Sequence, residues 1–393
     1  MLINGPVNVV RLEGKINNIN KIIWVFFDKH INLRLQTECE SYDSQDIVRY
    51  LYNLFKNTNK VIDFFLEIKK SHEKSYHNYP FKNIYILDLA KFYSKSITSD
   101  TESKEIKKEI KNKKNIRFHY LDIRDYLEKN VYDYIDLLMN SIDNLRSKKD
   151  IFSSDFTNIV DSCIKLVYEL EIYKEFFENP DKNDLLKQNV SDDKKNILYY
   201  LNKITFKYKD ESIIGKIKKT YFPDILKNIN LAISKLKELT KIIMEKEQYI
   251  FRDYDYKVKI KNNNYNLDEH YGYGDYNTRM KFIYNCDDLA YSIDILLLKI
   301  FCKITDLFFL RRFLDKDYIT NAITYTGFAH SVNYINILVS IFDFKITHFS
   351  YSDEKNIEKV NEIAKNDYDK LLYILSPPRL IQCSDISNFP NDF

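Results

Sequence analysis

The sequence is poor in the residues that interrupt regular structure. It holds only 6 glycines and 7 prolines among 393 residues, together with a single tryptophan. Because glycine is favoured where the backbone needs a positive φ, each of so few glycines is informative about the turn that contains it. The chain is nevertheless 45% hydrophobic, which is enough to bury a sizeable core and argues against a disordered protein.

Cysteine is also scarce and follows no recognisable pattern. The five residues lie far apart, form no Cys-x-x-Cys pair and are odd in number: Cys39, Cys163, Cys286, Cys302 and Cys383. This usage is typical of proteins in a reducing compartment. It argues against a structural zinc site and against a disulfide framework.

An excess of charge of one sign is absent. The chain has 60 basic and 57 acidic residues, so no long-range field attracts nucleic acid or an anionic membrane surface. The most apolar stretch, residues 293–310, contains four charged residues, and no basic start followed by an apolar run opens the chain. These absences predict a soluble intracellular protein that has no membrane span and is not a nucleic-acid binder.

The most informative stretch runs from Ala322 to Lys345, where the hydrophobic period changes at Gly327. Before this glycine, β-branched and aromatic residues are typical of a strand. After it, apolar residues recur at every third or fourth position, as on one face of a helix: Val332, Ile335, Leu338, Val339 and Phe342. This pattern predicts a strand, a tight turn and a helix. His330 then lies near the first turn of the helix, at the strand end where ligands collect in α/β sheets.

Two earlier segments are also predicted as strands that end in ionisable residues. An unbroken apolar run over residues 22–27 is typical of a strand that is buried on both faces, and it is followed by Asp28 and His30. A second run, over residues 61–68, carries Glu67 near its end. Acids and an imidazole are therefore expected at neighbouring strand ends.

Three further strands complete the predicted sheet. Residues 83–87 form a short apolar run, residues 116–120 alternate between apolar and polar side chains, and residues 346–351 follow the helix after Gly327. Asp122 and Arg124 come just after the second of these strands, where they either orient a substrate or form a structural ion pair. Two lone histidines inside strands are predicted to be structural: His119 and His348.

Between the two groups of strands the apolar spacing is mainly helical. One short strand is predicted over residues 204–208, and a lid-like loop over residues 251–276. We therefore predict an α/β fold whose mixed sheet is formed from both chain ends, with a large helical insertion. The expected divisions are an N-terminal half of the core at 1–126, the helical insertion and loop at 127–285, and a C-terminal half of the core at 286–393.

Residues 27–30 and 327–330 share one pattern, in which an apolar strand leads to a tetrapeptide that ends in histidine. Neutral imidazole and carboxylate groups suit a divalent metal, and the same groups activate a water as general base and orienting acid. With Glu67 added, two histidines and two acids are available. The expected metal ligands are His30, His330 and Glu67.

In these motifs and their order, the sequence resembles the erythromycin-esterase-like superfamily that includes the TraB, TIKI and ChaN-like proteins. Phe27–His30 matches the first motif of that superfamily, Glu67 its middle acid and Gly327–His330 its closing motif. Residues 5–14, followed by residues 27–30, also resemble a group of uncharacterised large-DNA-virus proteins.

The resemblance to the superfamily implies a hydrolase, with or without a divalent metal, that acts on a small-molecule or peptide substrate. Its expected catalytic residues are His30, His330, Asp28 and Glu67, and its expected binding residues are Asp122, Arg124 and Gly327. The alternative is a non-enzymatic viral structural or host-interaction protein that keeps the fold, located in the host cytoplasm or the virion. Phe27 favours this alternative, because the superfamily has glycine at that position.

Overall fold

The computed structural model describes residues 1–29, 38–69, 85–93, 115–124, 127, 129–147, 153–179, 192–205, 207–261, 276–378 and 381–391. Strands and helices alternate at both ends of the chain, and helices fill the middle. The strands in this part of the chain are β1 (Leu2–Asn4), β2 (Asn8–Ile16), β3 (Ile19–Asp28), β4 (Gln45–Asp46), β5 (Ile62–Lys69), β6 (Ile116–Asp122), β7 (Asn321–Gly327), β8 (Lys345–Phe349) and β9 (Cys383–Asp385).

Helices connect these strands and form the middle of the chain. In chain order they are α1 (Ile47–Asn57), α2 (Tyr85–Tyr93), α3 (Lys129–Ser147), α4 (Ser153–Glu178), α5 (Asp192–Thr205), α6 (Glu211–Thr220), α7 (Phe222–Lys261), α8 (Tyr276–Asp315), α9 (Phe328–Phe342), α10 (Ile357–Asn366) and α11 (Tyr368–Ile374). The predicted change from strand to helix at Gly327 is confirmed, since β7 ends there and α9 begins at the next residue.

The main sheet has six strands in the order β6-β5-β7-β3-β2-β8. β6, β5, β7 and β3 run parallel to one another, whereas β2 is antiparallel to both β3 and β8. The prediction of a mixed sheet built from both chain ends is therefore confirmed. Its physical basis is the central position of β7, which supplies the hydrogen-bonding partners of both β5 and β3.

The hairpin between β2 and β3 shows how local sequence sets the register of the sheet. Asn17 and Asn18 form its two-residue turn with positive φ angles of 49° and 65°. A type I′ turn requires this backbone, and asparagine tolerates it better than most residues. β3 then continues through the predicted apolar run, and residues 23–27 are all buried.

The chain divides into two compact units. The first contains residues 1–125, 201–217 and 304–393, and the second contains residues 126–200 and 218–303. Both sheets lie in the first unit. Within the second unit, α3 packs on α4 and α4 packs on α7 through buried apolar faces that follow the helical period, so helices predominate there in the part that the structure describes.

Three local predictions are wrong. The strand predicted over residues 83–87 is the start of α2 from Tyr85 onward, because a short apolar run does not distinguish a strand from a buried helix. The strand predicted over residues 204–208 overlaps α5, in which Leu201 and Ile204 continue a buried helical face. Residues 251–261 of the predicted lid belong to α7, and the remainder of that loop up to residue 275 lies outside the described residues.

A second sheet corrects the expectation about cysteine. Its three strands have the order β4-β1-β9, and a disulfide joins Cys39, which precedes β4, to Cys383 at the start of β9. The expectation drawn from cysteine usage is wrong for this pair. Spacing in the sequence could not reveal it, because the two residues are 344 positions apart and meet only in the folded chain.

Lys21 on β3 is a buried charged residue of the main sheet. Its Nζ donates hydrogen bonds to the carbonyl oxygens of Lys316, at 2.9 Å, and Ile319, at 2.6 Å. Burial lowers the pKa of Lys21 to about 8, even though three nearby carboxylates oppose this shift. The folded protein therefore releases this proton more readily than the unfolded chain does.

We expect Lys21 to make the folded state more stable as the pH rises from 8 to about 10.4. In that interval the unfolded chain still binds the proton that the folded chain has released, and stability rises with pH wherever the unfolded state binds more protons. The total change is about 3 kcal/mol. Urea unfolding of wild type and Lys21→Met should show this rise only in wild type, and the exposed Lys15→Met control should retain it. Parallel pH profiles for wild type and Lys21→Met would contradict the expectation.

Candidate functional site

The site lies at one edge of the main sheet, where the carboxyl ends of parallel strands meet. Glu67 is near the end of β5, Asp122 ends β6 and Gly327 ends β7. These three strands are neighbours in the sheet, so their ends are about 4.8 Å apart from one strand to the next. His330 lies in the first turn of α9, directly after β7.

The junction between β7 and α9 is held by Glu67. The backbone N–H of Gly327 donates a hydrogen bond of 2.6 Å to Oε2 of Glu67, and no side chain at the start of α9 caps the helix. The φ angle of Gly327 is −55°, so a positive φ does not explain this glycine. The expectation that the turn needs a left-handed residue is wrong, and the carboxylate of Glu67 instead accepts from the N–H of the N-cap residue, as a glutamate at the third helical position does in a capping box.

His330 lies between two carboxylates. Its Nδ1 is 2.6 Å from Oδ1 of Asp306, and its Nε2 is 3.3 Å from Oε1 of Glu67. The exposed side-chain fractions are 5% for His330, 6% for Glu67 and 0% for Asp306. The three groups are therefore almost fully removed from water. In the protein interior, interactions between charges are stronger than at the surface.

Asp306 and Asn333 belong to the same cluster, although neither was predicted. Asp306 lies on α8, and its Oδ2 accepts a hydrogen bond of 2.7 Å from Nδ2 of Asn333. Asn333 is three positions after His330 on α9, so both side chains occupy the same face of that helix. A signal for Asp306 was available, because an acid in the most apolar stretch of the chain needs a partner if it is buried.

Arg124 connects the cluster to its more exposed side. Its guanidinium forms two hydrogen bonds of 2.9 Å with the carboxylate of Asp122, and one of its terminal nitrogens lies 3.9 Å from Oε1 of Glu67. The side chain of Arg124 is 26% exposed, whereas that of His330, which also contacts Glu67, is 5% exposed. The ion pair that the sequence offered as one role for Asp122 and Arg124 is present, and it lies next to Glu67.

The contacts form one continuous series of polar groups, in which Arg124 is the partly exposed member. The order is Asn333, Asp306, His330, Glu67, Arg124 and Asp122. A neutral imidazole has a single N–H and can donate to only one of the two carboxylates, whereas a protonated ring donates to both. The pair formed by His330 and Glu67 can thus hold one proton between a nitrogen and an oxygen that are 3.3 Å apart.

Asp28 lies at the end of β3, beside Gly327 in the register of the sheet. Its Oδ1 accepts hydrogen bonds from the hydroxyl of Tyr325, at 3.1 Å, and from Nε2 of Gln382, at 3.3 Å. Because burial and then the nearby Asp28 disfavour a phenolate, the pKa of Tyr325 is raised well above its ordinary value. Tyr325 is the partner of Leu66, and side chains alternate along a strand, so Asp28 points to the sheet face opposite Glu67.

His30 was predicted as a member of this site and as a metal ligand, but it lies outside the described residues. Among the residues that the structure does describe, no group of three or more histidine, cysteine, aspartate or glutamate side chains is arranged to hold a metal ion. The structure therefore brings together Glu67, His330, Gly327, Asp122 and Arg124 from the predicted set. It adds Asp306 and Asn333.

A second pair of acid and histidine connects β5 and β6, with Asp63 at the opposite end of β5 from Glu67 and His119 on β6. Nε2 of His119 is 2.7 Å from Oδ1 of Asp63, and Nδ1 of His119 is 3.0 Å from Arg312. Burial opposes ionisation of Asp63, but hydrogen bonds from Arg117 and His119 outweigh it and lower the pKa of the carboxyl group. Because Arg312 can only donate, Nδ1 of His119 is the acceptor in this contact. The hydrogen bonds of this pair fit the structural role that was predicted for His119.

Comparisons with known proteins agree with one of the two resemblances. A family model described as "Family of unknown function (DUF5847)" matches residues 1–393. The chain is 34% identical to uncharacterized protein R706 of Acanthamoeba polyphaga mimivirus, in an alignment that covers 100% of this chain and 97% of the relative. It is 33% identical to uncharacterized protein R161 of the same virus, with 100% and 98% coverage. No solved structure matches.

These relatives agree with the predicted resemblance to large-DNA-virus proteins. They give no support to the resemblance to the erythromycin-esterase-like superfamily, which rested on short motifs at strand ends. Within the described part of the chain, no helix combines the length and the apolar character that a membrane span requires.

Proposed function

The chain belongs to DUF5847, a family of unknown function, and from the geometry of its own residues we propose that the cluster around His330 is a hydrolytic active site. One observation carries the proposal. The imidazole of His330 is fixed by Asp306 at one nitrogen and faces Glu67 with the other, at 3.3 Å. An imidazole that a carboxylate holds in one orientation is a recurring general base, and Glu67 lies where it can exchange a proton with the other ring nitrogen.

In the proposed reaction, the pair formed by His330 and Glu67 takes a proton from a water molecule. The water oxygen then attacks the carbonyl or phosphoryl centre of the substrate, and the bond to the leaving group breaks. The leaving group takes the proton back from the same pair, so the site returns to its starting state. Ester, amide and phosphate-ester substrates all fit this balance, because each consumes one water. An ester gives an acid and an alcohol, an amide gives an acid and an amine, and a phosphate ester gives phosphate and an alcohol.

The other members of the cluster have supporting roles in this proposal. Asp306 is a positioning residue, since it fixes the ring of His330 from the buried side. The guanidinium of Arg124 lies 3.9 Å from Glu67 and is partly exposed. It can therefore stabilise negative charge that develops on a substrate oxygen. The N–H of Gly327 keeps the carboxylate of Glu67 in place.

His30, which follows β3 in the sequence, remains in the proposal, whereas Asp28 takes no part in the reaction because its side chain points to the sheet face opposite Glu67. A divalent metal held by His30, His330 and Glu67 is the alternative form of the same site, because imidazole and carboxylate groups suit such an ion. Assays with and without a chelator separate the two forms. Turnover that survives chelation supports proton transfer by the side chains alone, and turnover that is lost and then restored by an added metal supports the alternative form.

The proposal predicts that Glu67→Gln lowers hydrolytic turnover about 100-fold. Glutamine keeps an acceptor for the N–H of Gly327 but can no longer accept a proton, so the fold is retained while the chemistry is lost. The measurement uses a chromogenic acetate ester, an anilide and an aryl phosphate with the purified full-length chain. The exposed Glu362→Gln variant is the matched control and should retain wild-type rates. Equal rates for wild type and Glu67→Gln, or no turnover of any substrate by wild type, would refute the proposal.

A further inference from the structure

The disulfide between Cys39 and Cys383 lies where a reductant can reach it. Both cysteines are half-buried, and their Cα atoms are 5.0 Å apart. Of the three remaining cysteines, Cys163 and Cys286 are buried, and burial raises the pKa of both thiols to about 12. Because a thiolate is the form that exchanges with a disulfide, these two residues do not compete with the pair at the surface.

The disulfide joins the two outer parts of a sheet made of very short strands. β9 pairs with β1 over three residues, and β4, on the other side of β1, has two residues. Strands of this length contribute few hydrogen bonds, so they depend on other links to stay in place. Besides the disulfide, Oγ of Ser384 in β9 donates a buried hydrogen bond of 2.9 Å to the carbonyl oxygen of Pro6, and the N–H of Ile386 donates one of 2.9 Å to the carbonyl oxygen of Met1. The N–H of Cys39 donates one of 2.9 Å to Asn4, and the N-terminus forms an exposed ion pair with Asp385.

Gln382 connects this strand to the edge of the main sheet. It directly precedes Cys383 and is buried, and its Nε2 donates to Oδ1 of Asp28 at 3.3 Å and to the carbonyl oxygen of Lys29 at 3.4 Å. The carbonyl oxygen of Gln382 accepts a hydrogen bond of 3.1 Å from Gly5. These hydrogen bonds attach the start of β9 to the end of β3, which is next to β7 in the main sheet.

We propose that Cys39 and Cys383 form a reversible redox site that fixes β9, and with it the Asp28 end of β3, in the oxidised protein. Reduction by a dithiol protein or by glutathione breaks the S–S bond, since two electrons and two protons pass from the reductant to the two sulfurs and leave two thiols. The reductant becomes the corresponding disulfide. Oxidation by a disulfide of the same class reverses each step. The proposal does not depend on hydrolysis at His330.

The first test counts thiols in the purified full-length protein. After unfolding without reductant and alkylation with a maleimide, mass spectrometry should find three modified cysteines, and five after treatment with dithiothreitol. Incubation of the folded protein in glutathione buffers of increasing reducing strength should convert the first form into the second, and removal of reductant with added glutathione disulfide should restore it. Five reactive thiols in the untreated protein, or a disulfide that the folded protein never exchanges, would overturn the proposal.

The second test follows the strand itself by hydrogen exchange. Reduction of wild type should raise the exchange rates of the backbone amides in β9 and β1 about tenfold, while those of β5 and β7 stay unchanged. Cys383→Ser should show the fast rates with or without dithiothreitol. Cys302→Ser, which removes a half-buried cysteine outside the pair, should respond to reduction as wild type does. If β9 exchanges at the same rate in the oxidised and reduced forms, the disulfide does not control the strand and the proposal fails.

Discussion

Replacing His330 with alanine is expected to lower hydrolytic turnover about 1,000-fold, which is within the usual range for loss of a general acid or base. The imidazole contacts both Asp306 and Glu67, so its removal breaks the path of the proton between them. His348 provides the matched control, since it lies on β8 at the other side of the sheet. His348→Ala should keep wild-type turnover.

Turnover per folded molecule distinguishes a catalytic role of His330 from a purely structural one. A purely structural histidine would lower the stability of the fold, and the folded fraction that remained would turn over substrate at the wild-type rate. We therefore expect turnover per folded molecule to fall in His330→Ala, with circular dichroism used to measure the folded fraction. A loss of turnover that merely parallels unfolding would contradict the catalytic role.

Replacing Asp306 with alanine is expected to lower the free energy of unfolding by about 3–5 kcal/mol. The carboxylate is fully buried, and both of its oxygens are engaged, by Nδ1 of His330 and by Nδ2 of Asn333. Its removal leaves two buried polar groups without their partner, and each such group costs about 1–3 kcal/mol. Urea unfolding measures this change.

The exposed Asp288 on the same helix is the control for Asp306. Asp288→Ala removes an equivalent carboxylate from α8 and should change the free energy of unfolding by less than about 0.5 kcal/mol. Equal stability of Asp306→Ala and Asp288→Ala would mean that the buried contacts of Asp306 contribute nothing. That outcome would remove the basis for treating Asp306 as a positioning residue.

The sequence contained enough information to predict that Glu67 and His330 would lie close together. Glu67 lies near the end of an apolar run, and His330 comes shortly after another. Both runs are strands of the sheet, and neighbouring parallel strands have their carboxyl ends at the same edge. Asp28 also lies at the carboxyl end of a strand, but this position does not specify the face of the sheet to which its side chain points. Because side chains alternate along a strand, the position of a residue within its strand decides whether two neighbouring acids meet.

Asp306, Asn333 and the cysteine pair show what local patterns cannot predict. Asp306 is 24 positions before His330 and lies on a different helix, α8, so the two residues meet only through tertiary packing. The partners of a disulfide likewise cannot be deduced from spacing when two of five cysteines pair. Short apolar runs give the remaining errors, since residues 83–87 fit a strand and a buried helix equally well.

Chemical rescue of His330→Ala by free imidazole tests the central claim most directly. The variant leaves a space next to Asp306 and Glu67 that an imidazole molecule can occupy, so an added base can take over the transfer of the proton. We predict that turnover of the chromogenic substrate by His330→Ala rises with imidazole concentration and saturates, while wild type and His348→Ala are unaffected. If His330→Ala has wild-type turnover without imidazole, or if imidazole accelerates it no more than it accelerates the reaction without protein, His330 does not move the proton and the proposed site is wrong.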